Sequence, residues 1–172
     1  QHLEMTRDVA SRFHAQMGET FVIPELKLHE ETMYIPGTDG AKMSKSKGNT
    51  IIIFQSDKAL KKQIMSIETD STPLEDPKDP DTCNVFGIYK LLASKDEVAQ
   101  MRKNYEAGGY GYGHAKKALY ELVINKFEKE RALYNHYMDN LDELDAALSV
   151  GAEKARVIAN QVLDRVRKKV GY

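Results

Sequence analysis

Between Thr69 and Asp81 the chain sets Pro73, Pro77 and Pro80 among acidic residues. No helix or central strand tolerates that composition, because each proline fixes φ and removes a backbone donor. The stretch reads as an extended connector and as the best domain boundary in the chain. Everything beyond it is helical in period. Val85 to Leu92 forms a short helix, and Ser94-Lys95-Asp96-Glu97 is a capping box that opens a second, ending at Gly108-Gly109. A third is predicted from Gly113 to about Met138. A final pair, Leu141 to Leu148 and Ala152 to Val170, is expected on either side of Gly151, with Ala155, Ile158, Ala159, Val162, Val166 and Val170 as an apolar stripe.

Before the connector the pattern is mixed. Met5, Val9, Phe13 and Met17 recur at i+4 and predict a helix over 2–17 that stops at Gly18. Phe21-Val22-Ile23 within Thr20 to Leu28 turns β-like, with Pro24 limiting it to an edge, and Met33 to Ile35 is a second short strand candidate. Pro36 to Asn49 is dense in turn formers and reads as a mobile surface loop. Ile51 to Phe54 is expected to be a buried strand or helix start. Ser56 can then cap a helix from Asp57 to about Ser66.

At 172 residues, with 41% hydrophobic and 30% charged, the chain is long enough for about one domain and a fraction and too rich in core residues for disorder. Its apolar runs are far shorter than the ~20 residues of a membrane span. The single cysteine, Cys83, permits no internal disulfide and no all-cysteine metal site, which points to a reducing cytoplasm. Cys83 lies beside an acidic stretch and has little claim to be a nucleophile. His2, His14, His29, His114 and His136 show no metal-ligand spacing, so no metal site is expected. The start at Gln1-His2-Leu3-Glu4-Met5, without an initiator methionine, suggests a segment of something longer.

A net charge of -1 conceals a pattern. Ala41 to Lys62 holds six lysines against one aspartate, and Gly151 to Tyr172 holds six basic residues against two acidic. Selected faces can meet polyanions, although most such runs are solvated helix faces. Lys116, Lys117, Lys154, Arg156, Arg165 and Arg167 could meet RNA phosphates, and Tyr110 or Tyr112 could stack on an unpaired base, but a packed turn is the commoner use of such tyrosines. No individual residue is assigned to RNA contact.

The chemistry concentrates in Lys42-Met43-Ser44-Lys45-Ser46, inside the predicted loop, with Lys47-Gly48 following. Ammonium groups on a loop that can close over a triphosphate meet the β- and γ-phosphates as charge builds on a departing pyrophosphate. The serines add hydroxyl donors. A generic basic loop is usually a solvated one, but a specified five-residue string arises by chance in only about one chain of this length in twenty thousand.

That string resembles the signature loop of the class I aminoacyl-tRNA synthetases, which activate an amino acid with ATP and pass it to tRNA. Gln1-His2-Leu3-Glu4-Met5-Thr6-Arg7-Asp8 is similar to the helix after the Gly-x-Asp-Gln segment of the tryptophan group. Thr69-Asp70-Ser71, Tyr89-Lys90-Leu91-Leu92, Gly111-Tyr112-Gly113 and Gly151-Ala152-Glu153-Lys154-Ala155 follow in the family's order.

The resemblance implies a mainly α chain in two domains. The trailing part of a Rossmann-type catalytic domain, with short strands and the KMSKS loop, would occupy 1–67. An all-α anticodon-binding domain would occupy 68–172. It also implies Lys42 and Lys45 as catalytic residues and Lys42, Met43, Ser44, Lys45 and Ser46 as the ATP-binding set. Magnesium would be carried by ATP without a protein ligand, and the partners would be tRNA(Trp), tryptophan and a second subunit in a cytoplasmic homodimer. No His-x-Gly-His string occurs, so the other half of the ATP site and the tryptophan pocket would lie upstream, and this chain alone would be inactive. The rivals are the tyrosine enzyme and a non-catalytic RNA-binding or interaction module.

Overall fold

The i+4 spacing of the apolar residues resolves into seven α-helices among the described residues, 1–27 and 34–172, of the computed structural model. They are α1 (His2–Met17), α2 (Asp57–Met65), α3 (Asn84–Leu92), α4 (Lys95–Ala107), α5 (Tyr112–Lys126), α6 (Glu128–Asp139) and α7 (Leu141–Val170). The chain divides into two compact units, Gln1–Leu28 with Tyr137–Tyr172, and His29–His136. The expected boundary at 67/68 falls inside the second.

In the second unit α5 packs on α2 and α3, and α4 packs on α3. The pairs Leu60/Ile64, Val85/Tyr89, Met101/Tyr105 and Leu119/Val123, each at i+4, point their side chains into one core with Phe86 and Ile67. The ends are fixed locally. The Ser56 hydroxyl accepts from the Ala59 amide, and Ser94 with Glu97 forms the predicted capping box, the Glu97 carboxylate accepting from the Ser94 amide at 2.8 Å.

The first unit is held by its polar ends. The His14 imidazole accepts at Nε2 from the amides of Thr20 and Phe21, and its ring stacks on that of Phe21. From the end of α7, Lys169 Nζ donates to the carbonyls of Met17 and Glu19, each at 2.9 Å. A cation thereby meets the negative end of the α1 dipole.

Three expectations are corrected. The strand-bearing, Rossmann-type part is not present: no strand forms among the described residues, and the only ladder element there is a single antiparallel bridge between Pro36 and Lys42. The physical reason is visible at Ile51 to Phe54, whose backbone is satisfied by side chains instead of a neighbouring strand. The Gln63 amide accepts from the Ile52 N–H and donates to the Thr50 carbonyl, while the Arg131 guanidinium donates to the Ile53 carbonyl. At Thr20 to Leu28 the imidazole of His14 takes the donors a strand would use, and Arg7 donates to the Pro24 carbonyl. Leu28 and Met33 lie outside the described residues, as does His29.

Second, the helix expected over 113–138 breaks at Phe127, where φ is -107° and ψ 19°, into α5 and α6. Third, the pair expected around Gly151 is one 30-residue helix, α7. A Cβ at Gly151 would meet nothing within 4 Å, and an interior helical glycine costs ~1 kcal/mol relative to alanine. Gly151→Ala should therefore raise the thermal midpoint, by the equivalent of about 0.5–1 kcal/mol. A lowered midpoint in a calorimetric scan would contradict a continuous helix here.

Candidate functional site

Pro36 to Asn49 folds back on itself. The Gly37 amide donates to the Ala41 carbonyl at 2.7 Å and the Met43 amide to the Ile35 carbonyl at 2.8 Å, bringing the two arms of the loop together. Lys45–Lys47 forms one 3₁₀ turn entered from Ser44 and left through Gly48, which takes the left-handed conformation at φ +69°. The Ser44 and Ser46 hydroxyls lie 2.8 Å apart across this turn.

The loop brings the five predicted residues into one short arc and gives them different environments. Lys42, Lys45 and Ser46 are exposed, whereas Met43 and Ser44 are half-buried. Met43 lines an apolar cavity of about 290 Å³ together with Ile35, Ile51, Ile53, Ile88 and Leu92. The thioether thus fastens the loop from beneath while the neighbouring ammonium groups face water. Lys47 is exposed as well, so three lysines within six residues are exposed.

Asn49 was read from the sequence only as a turn former, and it is the residue that organises the arc. It is 2% exposed. Its Oδ1 accepts from the Ser44 amide at 2.8 Å, its Nδ2 donates to Asp39 Oδ1 at 2.7 Å and to the Lys42 carbonyl at 3.2 Å, and its own carbonyl accepts from the Thr38 amide. One amide therefore joins both arms of the loop. The Asn49 side chain, and after it the Ala41 amide, holds the Asp39 carboxyl below the usual carboxylate range. The available sequence signal was an asparagine closing a loop that opens with Asp39-Gly40, since Asx side chains habitually satisfy nearby backbone.

Asn49→Asp should place a second carboxylate against Asp39 and lose the donor to Lys42, loosening the Ser44 amide most at neutral pH. The defect should shrink on acidification, because protonating either carboxyl restores a donor. Asn49→Ala should loosen the loop at every pH. Amide exchange at Ser44 measures both, and a pH-independent Asn49→Asp defect would contradict the Asp39 pairing.

The remaining candidates are dispersed. Tyr110 and Tyr112 pack against the buried Tyr105 ring, with centroids 5.9 and 6.1 Å from it, and the Tyr112 hydroxyl donates to Asp70 at 2.7 Å. Lys116 donates to the Met65 carbonyl, Lys117 pairs with Glu121, Arg156 with Glu153, and Arg165 reaches the Thr20 carbonyl. Burial lowers the Lys116 ammonium from its ordinary value. Cys83 is buried at the start of α3, its Sγ 3.4 Å from the Tyr105 hydroxyl. No group of three or more His, Cys, Asp or Glu side chains among the described residues could hold a metal ion. No helix among them is long and apolar enough to cross a membrane.

Comparison with known proteins bears directly on this loop. A family model described as tRNA synthetases class I (W and Y) matches residues 1–128. The tryptophan–tRNA ligase of Campylobacter jejuni strain RM1221 is 47% identical over 171 residues, covering 99% of this chain and 54% of that protein. That of Rhodopirellula baltica is 46% identical, with 99% and 53% covered. The crystal structure of tryptophanyl-tRNA synthetase from Campylobacter jejuni complexed with ADP and tryptophan superposes with a TM-score of 0.87 at 47% identity, over 99% of this chain and 54% of that one. The chain spans about half the length of the curated relatives it matches. With the family model running from residue 1 through the Pro36 to Asn49 loop and the core helices to residue 128, the chain belongs to the class I tRNA synthetases of the tryptophan and tyrosine group.

Proposed function

We propose that this chain is the part of a tryptophan–tRNA ligase that carries the ATP-phosphate loop and the helices facing tRNA. The observation that carries this reading is the folded arc Lys42 to Ser46, with Lys42 and Lys45 exposed on a loop fastened by Asn49 and Met43. In the proposed reaction the tryptophan carboxylate attacks the α-phosphate of ATP. A carboxyl–phosphate bond forms, the α–β phosphoanhydride bond breaks, and pyrophosphate leaves with the electron pair. Lys42 and Lys45 meet the negative charge that grows on that leaving group, and the Ser44 and Ser46 hydroxyls donate to its oxygens. Neither lysine is a nucleophile.

The same reading assigns 1–67 to the catalytic domain and 68–172 to a helical anticodon-binding domain, with tRNA(Trp) as partner and a cytoplasmic homodimer as the assembly. The donor set around the loop suits phosphates and not a cation. Its nearby carboxylate, Asp39, is already taken by Asn49 and Ala41, so magnesium would be held by the phosphates of the nucleotide.

The protein that carries this chain should catalyse tryptophan-dependent ATP–pyrophosphate exchange and should not respond to tyrosine. Exchange driven by tyrosine would move the assignment to the other member of the family. Exchange with neither amino acid would overturn the ligase reading in favour of a non-catalytic module.

A further inference from the structure

The arc described above must itself be held in place, and its stem rests on α3. At the first turn of that helix Asn84 is half-buried, and its Nδ2 donates to the Glu68 carbonyl at 3.1 Å. The Glu68 amide in turn donates to the Thr38 carbonyl at 2.8 Å, and the Thr38 amide donates to the carbonyl of Asn49 at 2.9 Å. Gly40 closes the same turn at φ +74°, so close to Asn84 that a Cβ there would fall 2.4 Å from Asn84 Oδ1. The positive φ strains any other residue there, and its Cβ would push the Asn84 side chain aside. Two amides thus stand in series: Asn84 seats the stem of the loop, and Asn49 closes its tip.

We propose that Asn84 is a positioning residue for the phosphate loop, acting through Glu68, the Thr38–Gly40 turn and Asn49 on the backbone that presents Lys42 and Lys45. Asn84 touches neither lysine. Its effect is on where the loop rests, and it therefore bears on the step at which the lysines must meet the departing pyrophosphate. The geometric part stands on hydrogen bonds within this chain, and the catalytic part rests on the ligase reading given above.

The test separates the two. Asn84→Ala and Asn84→Asp both remove the donor to Glu68, the second while keeping the side chain's shape, and Gly40→Ala displaces Asn84 from the opposite side. In the protein that carries this chain, amide exchange at Met43 and Ser44 should rise roughly tenfold in all three, as expected for the loss of one hydrogen bond. The amides of α5 should be unchanged. In the pyrophosphate exchange assay kcat should fall by about the same factor, with little change in KM for tryptophan, because a misplaced loop weakens contacts made in the transition state. Unchanged exchange at Met43 and Ser44 overturns the proposal whatever the enzyme's activity. A parallel rise throughout α3 and α5 overturns it as well, since Asn84 would then serve the fold at large. Loosened loop amides in a protein that activates no amino acid support the positioning role and count against the ligase reading alone.

Discussion

Lys42→Ala and Lys45→Ala should each lower ATP–pyrophosphate exchange by about 10²–10³, the usual consequence of removing one preorganised charge partner from a developing anion. Both side chains are exposed and stand on a turn whose shape is set by backbone and by Asn49, so unfolding should move by no more than ~0.5 kcal/mol. The loss should appear mainly in kcat, because the contacts strengthen as charge moves onto pyrophosphate, and KM for tryptophan should stay near its starting value. Lys47, exposed in the same turn as Lys45 but outside the assigned pair, supplies the internal comparison: if proximity of positive charge were all that mattered, Lys47→Ala would cost as much. A smaller loss at Lys47 identifies specific placement. Unchanged exchange in both Lys42→Ala and Lys45→Ala, with the fold intact, would remove the catalytic role from the loop.

Lys→Arg at either position tests the same point differently. An ammonium is a compact charge with three rotatable donors, whereas a guanidinium is a broad planar fork. In an arc as short as Lys42 to Ser46 the larger head group should recover only part of the activity.

What the sequence made legible follows from which interactions are local. The helices that carry the core pairs 60/64, 85/89, 101/105 and 119/123 were expected from the sequence, and the Ser94/Glu97 box was visible as a motif, because each depends on residues within one or two turns. The loop string was legible as a family signature but not as architecture. Asn49 reaches Asp39, ten residues away, and Asn84 reaches Glu68, sixteen residues away; no periodicity announces such pairs. The buried strand or helix start expected at Ile51 to Phe54 failed for a similar reason. The segment forms neither element and leaves Ile52 and Phe54 exposed, and Gln63 and Arg131, polar residues on helices, meet backbone groups that a partner strand would have met. At Gly151 a local rule lost to cooperativity. A glycine disfavours helix by ~1 kcal/mol, but ending the helix there would forfeit several consecutive backbone bonds and require a new nucleus.

Lys78→Met should be the most destabilising single change in the connector, by about 2–4 kcal/mol in a urea titration, because it strips the donors from three backbone acceptors at once. Lys78 is only 4% exposed. Its Nζ donates to the carbonyls of Pro73, Leu74 and Asp76 at 2.7, 3.2 and 2.9 Å, and it lies 5.5 Å from the centroid of the Tyr112 ring. The prolines that prevent a helix between 69 and 81 leave these carbonyls without backbone partners, and the ammonium gathers them as a helix would otherwise have done. Carboxylate support is close by. Hydrogen bonds from Thr72, and then from Tyr112, hold the Asp70 carboxyl below the usual range, and the charge on Lys78 adds to that attraction. Methionine keeps the length and the apolar stem of lysine, so its effect isolates the missing donors. Arginine keeps the charge but cannot aim a planar fork at three converging oxygens, and Lys78→Arg should recover only a fraction. A methionine variant as stable as the parent would mean that water serves the three carbonyls and that the connector is held from outside. The packing makes that a demanding alternative: at Gly108 (φ +75°) a Cβ would fall 2.3 Å from the Glu75 carbonyl, and the Lys78 amide donates to the Tyr105 carbonyl at 2.8 Å, so the turn is pressed closely against the end of α4.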